Sequence, residues 1–272
     1  MQPKILVPVD FSDVTLNAAI QSANLAELMD GRLILAHAVN HYTHAYRKSQ
    51  DLPEDWVEDQ LYALAGQIHE GRQIDIQVMW KEGTLYDVIP ALAKETGSHL
   101  VALSGYGTPG LQKLSRTKTL RILSACPLPV MVFGRKISKH SDPVIVPINL
   151  FRRWEKKADI LEKLVPAYLR RIIFVENHSG EIFSNELEKQ RARLRSRLEG
   201  KVQDIEFAAC RGQGSFVREL ESYARSARSG LIVLISDEEE DGLPYKPGSW
   251  DEPLIFNKLQ LPVLCISPRM KL

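Results

Sequence analysis

The chain has 272 residues, of which 44% are hydrophobic and 25% charged, and its formal net charge is +1. This is an ordinary globular composition, long enough for one large domain or two of common size. It excludes a bulk electrostatic pull toward nucleic acid or membrane, and no apolar run approaches the roughly 20 residues that span a bilayer.

The first half reads as strands at 5–9, 33–39, 74–79, 100–104 and 130–133, separated by helical patterns at 13–29, 54–69, 85–96 and 114–124. The strands are nearly continuous apolar runs, which suits parallel strands covered on both faces. Regular alternation of strand and helix favours right-handed crossovers and a doubly wound α/β sheet. A polar stretch at 136–142 then reads as a linker between domains at 1–135 and 143–272. The second half repeats the plan, with strands at 144–148, 172–175, 205–209, 231–235 and 263–266 and helices at 155–164, 185–198 and 217–227.

The duplication is visible residue by residue. Ile5-Leu6-Val7-Pro8-Val9-Asp10-Phe11 is answered by Val144-Ile145-Val146-Pro147-Ile148-Asn149-Leu150. Gly83-Thr84-Leu85 is answered by Gly214-Ser215-Phe216, and Leu128-Pro129-Val130 by Leu261-Pro262-Val263. The order is kept, so the expected architecture is two open, parallel, five-stranded sheets in tandem. The one polar difference in the opening phrase sets Asp10 against Asn149.

In such sheets a ligand sits beyond the carboxyl ends of the strands, where the strand order switches. Three segments of the first half should meet there: Pro8-Val9-Asp10-Phe11-Ser12, the end of the second strand at His37-Ala38-Val39, and Ser104-Gly105-Tyr106-Gly107-Thr108-Pro109-Gly110. Each has two readings. Asp10 or Ser12 can cap the first helix, or cap it and touch a ligand. The glycines can make a tight turn, or cradle a phosphate with exposed N–H groups at a helix start. Gly105 and Gly110 have Walker A spacing, but Leu111-Gln112 follows in place of Lys and Ser or Thr. The first strand lacks the Rossmann glycines after it.

No Gly-x-Ser-x-Gly elbow is present and no catalytic set can be assembled. His41 and His44 lack accompanying Cys or carboxylate ligands and read as loop residues, so no metal site is expected. His37, inside a strand, reads as a core histidine. The four tryptophans are too dispersed for a base-stacking platform. Cys126, Cys210 and Cys265 are odd in number and form no CxxC pair, and the start of the chain has no signal-peptide pattern. Reduced thiols in a cytoplasmic protein are therefore expected.

With these residues in hand, the chain resembles the universal stress protein family. Ile5-Leu6-Val7-Pro8-Val9-Asp10-Phe11-Ser12, Leu35-Ala36-His37-Ala38-Val39 and Pro127-Leu128-Pro129-Val130-Met131-Val132 are similar to its first, second and last strands, and the resemblance runs through both copies. It implies the adenine nucleotide alpha hydrolase-like fold with strand order 3-2-1-4-5, and pairing of the two halves through their last strands. It also implies a ligand, ATP or AMP, for members with Gly-x-x-Gly, nine residues, then Gly and Ser or Thr. There the aspartate after the first strand and the backbone of the second hold the adenosine part. Asp10 and Ala38 match those positions. Ser104 stands where the first glycine is expected, with Gly105 adjacent, and Gly107 matches the second. The third is missing: its place falls on Arg116 or Thr117, according to whether one counts back from Pro129 or forward from Gly107. Thr117 could offer a hydroxyl, and Lys113, Arg116 and Lys118 charge, or these cations form a solvated helix face.

The second half departs from that pattern. Asp237-Glu238-Glu239-Glu240-Asp241 puts repulsion where a phosphate loop needs attraction. That run could instead hold a hard cation or be a solvated charge run, and no nucleotide is expected in this half. Three functions stand side by side: a non-catalytic stress-response protein with an adenine nucleotide in its first half, a nucleotide-independent interaction or scaffold protein, and a nucleotide-hydrolysing enzyme. A protein partner or a second copy is compatible with each.

Overall fold

The computed structural model describes residues 2–105, 115–136, 142–148, 157–162, 171–177, 184–210, 215–236 and 244–267. The first half supplies β1 (Lys4–Pro8), α1 (Asp13–Leu28), β2 (Arg32–Val39), α2 (His41–Ser49), α3 (Trp56–His69), β3 (Asp75–Glu82), α4 (Leu85–Glu95), β4 (Leu100–Ser104), α5 (Arg116–Ala125) and β5 (Val130–Phe133). The second supplies β6 (Val144–Ile148), β7 (Arg171–Asn177), α6 (Ser184–Leu198), β8 (Asp204–Cys210), α7 (Phe216–Ser226), β9 (Leu231–Ile235), α8 (Glu252–Ile255) and β10 (Val263–Ile266). Residues 157–162 are also helical.

These strands form one ten-stranded sheet, ordered β3-β2-β1-β4-β5-β10-β9-β6-β7-β8. Each half is parallel within itself and follows the order 3-2-1-4-5. The halves join where β5 and β10 run antiparallel, with Val132 opposite Val263 and Val130 opposite Cys265. At this seam Gly134 must be glycine, because a Cβ there would lie 1.9 Å from the Gln260 carbonyl oxygen. Gln21 Nε2 donates to the Gly134 carbonyl at 2.9 Å, and Lys136 Nζ reaches Ser229 O at 2.9 Å.

Two helical layers cover the sheet. One core gathers Ala19 and Ala23 of α1, Leu61 of α3, Leu161, and Leu194 of α6; the other gathers Ile89 of α4, Leu123 of α5, Leu220 of α7 and Leu254 of α8. The expectation of wholly apolar strands holds at the centre of the sheet. It fails at the edge strands β3 and β8, where half-buried and exposed positions alternate or mix and only Cys210 is buried, because each has a neighbour on one side only.

The repeated proline explains how the sheet opens. β1 pairs with β2 from Lys4 to Pro8, but with β4 only at Ile5 and Leu6. Val9 N donates to Ala36 O at 2.8 Å, and N–H direction alternates along a strand. The missing donor of Pro8 therefore faces β4, which has already parted from β1. Pro147 repeats this, since β6 meets β9 only at Val144 and Ile145. A crevice results at the carboxyl ends, between the first and fourth strands of each half.

Two helices depart from the sequence reading: the short α8, and residues 41–49, which form α2 rather than a loop. Asn40 Oδ1 accepts from Tyr42 N and Thr43 N at 2.9 and 3.3 Å, while Thr43 Oγ1 accepts from Asn40 N at 3.4 Å. This reciprocal cap starts a helix that lacks an apolar stripe. No helix among the described residues is long and apolar enough to cross a membrane.

Candidate functional site

β1 delivers its last residues to the mouth of the crevice. Pro8 and Val9 are buried, and the chain turns at Phe11, whose φ of 61° is uncommon for a side chain of that size. Asp10 lies at the turn, 4% exposed. Its Oδ1 takes Ser12 N at 3.3 Å, Ser12 Oγ at 2.5 Å and Thr15 Oγ1 at 3.0 Å, while Asp10 N points at Thr15 Oγ1 at 3.2 Å. Ser12 occupies the N-cap position of α1, yet its hydroxyl makes no cap bond and goes to Asp10. Its carbonyl alone starts the helix, accepting from Leu16 N at 2.9 Å. The capping reading is therefore corrected for the Ser12 side chain: the turn orients Asp10 instead.

Beside this turn His37 is fully buried. Nδ1 lies 2.7 Å from Val9 O, and a carbonyl only accepts, so Nδ1 carries the proton. Nε2 then accepts from the Thr43 hydroxyl at 3.0 Å. Burial pushes the imidazole below its ordinary pKa, against the Val9 hydrogen bond and the Asp10 charge, which pull upward. Phe11 stacks on the ring at 4.8 Å, and Trp56 meets Phe11 edge-on at 5.3 Å. His37 is a neutral structural histidine that ties β2 to the end of β1. Ala38, next along β2, is fully buried.

Across the crevice, Ser104 ends β4 and Gly105 follows it. Gly105 N donates to Phe133 O at 3.0 Å, and a Cβ there would stand 2.6 Å from Val132 Cγ1. Its glycine character serves close approach to β5, and its N–H is engaged. As an anion-cradling donor, Gly105 is therefore corrected. Gly107 and Gly110 lie outside the described residues, as does Lys113.

α5 opens with Ser115, whose hydroxyl accepts from Lys118 N at 3.3 Å. Its first turn has no acid and carries Arg116 and Lys118, so two cations stand at the positive end of the helix dipole. That arrangement favours an anion nearby. Lys118 Nζ sits 5.5 Å from the Tyr42 ring centre, linking α5 to α2. Arg116 faces the other half, with its guanidinium carbon 5.1 Å from the Phe256 ring centre. Thr117 is exposed. Among the described residues no cluster of His, Cys, Asp or Glu could hold a metal.

The second half arranges its crevice differently. Ile172 pairs with Val144 as Leu33 pairs with Ile5, so Glu176 stands in β7 where His37 stands in β2. Glu176 is 2% exposed and takes a two-pronged bond from Arg191 of α6, Nε to Oε1 at 2.8 Å and Nη2 to Oε2 at 2.5 Å. Asn149 and the acidic run at 237–241 lie outside the described residues. In place of α5, the second half has the short α8 and the fully buried Tyr245, whose hydroxyl lies 2.9 Å from Ile266 O and 3.1 Å from Leu234 O.

A family model, the universal stress protein family, matches residues 1–134. Residues 1–134 are thus a universal stress protein domain. Among solved structures, a universal stress protein from Archaeoglobus fulgidus is 14% identical, with a TM-score of 0.70, over 97% of this chain and 96% of its own. A protein from Pseudomonas aeruginosa assigned to the same family is 14% identical over 98% and 94%, with a TM-score of 0.63. A protein of unknown function from that organism is 15% identical over 98% and 93%, with a TM-score of 0.62. At such identities the likeness is one of fold, and it extends through both halves. No curated protein is significantly similar to the chain. Within the universal stress protein domain, sequence reasoning missed Thr15, Thr43 and Tyr42. The Asn40-to-Thr43 cap spacing could have revealed α2, and with it Tyr42 and Thr43. Phe256 carried no local signal, because its role lies against the other half.

Proposed function

We propose that the protein is a non-catalytic stress-response module whose first half binds an adenine nucleotide, ATP or AMP, at the carboxyl ends of β1, β2 and β4. The adenosine part would meet Asp10 and the backbone at Ala38, and the phosphates would lie toward the first turn of α5. Asp10 carries this reading. Burying a carboxylate is costly unless hydrogen bonds hold it. Here Ser12 and Thr15 hold it at the mouth of the crevice, where packing alone would be served by an apolar residue. Family membership of residues 1–134 supports the stress-response role, and Arg116 and Lys118 supply charge suited to phosphate. The second half, with its acidic run, is assigned no nucleotide. The buried free thiols fit a reducing compartment, and we place the protein in the cytoplasm.

Isothermal titration with ATP, AMP and adenosine tests the reading. Wild-type protein should bind, and Asp10→Ala should weaken binding by about tenfold, the loss of a charge-assisted hydrogen bond. Absence of binding at millimolar nucleotide would overturn it. The engaged N–H of Gly105 favours a second reading, a nucleotide-independent interaction module, which that null result would leave standing.

A further inference from the structure

The second half reaches into the phosphate end of the first. Phe256 is buried in the seam, 4.0 Å (at Cδ1) from where a Cβ on Gly105 would stand, and it carries the Arg116 guanidinium on its ring. Its own position is firmly set. The fully buried Asn257 donates to Leu254 O at 3.1 Å and Leu261 O at 3.0 Å and accepts from Leu261 N at 3.0 Å. At the far end of α5, Ser124 Oγ donates to Tyr245 O at 2.5 Å, and Leu120 and Leu123 share a core with Tyr245, Leu254 and Ile255. The helix that would receive the phosphates is thus held at both ends by the other half.

A guanidinium lying on an aromatic face has its motion restricted while its edge N–H groups still point outward. Those edge donors are what a phosphate takes in a two-pronged bond. No carboxylate among the described residues pairs with Arg116, and no acid shares its helical turn. We propose that Phe256 is a positioning residue for the nucleotide's phosphates: the half to which no nucleotide is assigned pre-orients Arg116 in the neighbouring one. This rests on the nucleotide reading above. It gives the second half a role that its own crevice does not supply.

The test is titration of the full chain with ATP and with adenosine, for wild type, Phe256→Leu, Phe256→Tyr and Arg116→Gln. Leu fills the space without a π face; Tyr keeps the face. Phe256→Leu should weaken ATP by about 3- to 10-fold, the worth of a cation–π contact, and leave adenosine unchanged. Phe256→Tyr should restore ATP affinity. Adding Phe256→Leu to Arg116→Gln should cost nothing more, since the ring acts through that side chain. An unchanged ATP affinity in Phe256→Leu, an equal loss for ATP and adenosine, or a wild type that binds the two equally would each overturn the inference while leaving nucleotide binding intact. A wild type that binds neither removes the nucleotide reading, and this inference with it.

Discussion

Beside the first strand of each half, one buried polar residue occupies one register position, and the two halves satisfy it in opposite ways. His37 is neutral and needs two neutral partners, the Val9 carbonyl and the Thr43 hydroxyl. Glu176 is a carboxylate that takes both prongs of Arg191 from α6. The sheet tolerates either, because strand pairing depends on backbone and apolar faces rather than on this side chain. The difference is electrostatic. The first half spends no helix-borne arginine at this position, and its carboxylate, Asp10, stands at the turn beyond it. The second half buries its carboxylate in the strand and neutralises it from a helix. The copies share a scaffold and differ in what reaches the crevice.

Removing one partner in each half separates the two solutions. Arg191→Met takes a two-pronged bond from a buried carboxylate and should cost about 3 kcal/mol of stability, whereas Thr43→Val removes one hydroxyl donor to a neutral imidazole and should cost about 1–2 kcal/mol. Urea unfolding of the two variants measures both, and equal losses would break the comparison. The seam that lets the halves differ is tested by Gly134→Ala. Forcing a methyl against the Gln260 carbonyl should destabilise the protein by about 1–3 kcal/mol; a shift of the urea midpoint shows this, and no shift would mean the seam is looser than its geometry. The smallest effect is on pH. The folded-state pKa of His37 is lowered by burial, so the unfolded chain takes up a proton near the ordinary value of about 6.5 that the folded chain refuses. The resulting stability is present above that value and is lost as pH falls below it toward the folded pKa. The urea midpoint should drop between pH 7.5 and 5.5, and His37→Gln should flatten that slope; an unchanged slope would remove His37 as the cause.

Much of this comparison could be read without coordinates. The runs at 130–133, 144–148 and 231–235 matched β5, β6 and β9 residue for residue, because fully buried parallel strands announce themselves as unbroken apolar stretches. Asp10 stood out for the converse reason, a charged residue at the end of such a stretch. α2 escaped notice because His41-Tyr42-Thr43-His44-Ala45-Tyr46 has no apolar stripe; its start depends on the Asn40 and Thr43 cap, which periodicity does not record. The glycine at 105 was legible as a glycine but not as a contact residue, since the atom it must avoid belongs to Val132.

Local pattern thus determined the two copies and the alternation of strand and helix within each, while the strand order came from the family resemblance. It did so because hydrophobic period acts on neighbours in the chain. Tertiary packing decided which residues face that crevice. Arg116, though exposed, turned onto Phe256, Ser12 turned from the helix end to Asp10, and Glu176 found Arg191. Such choices depend on which segments come to lie side by side. Phe256 and Arg116 meet only because β5 and β10 join the halves into one sheet.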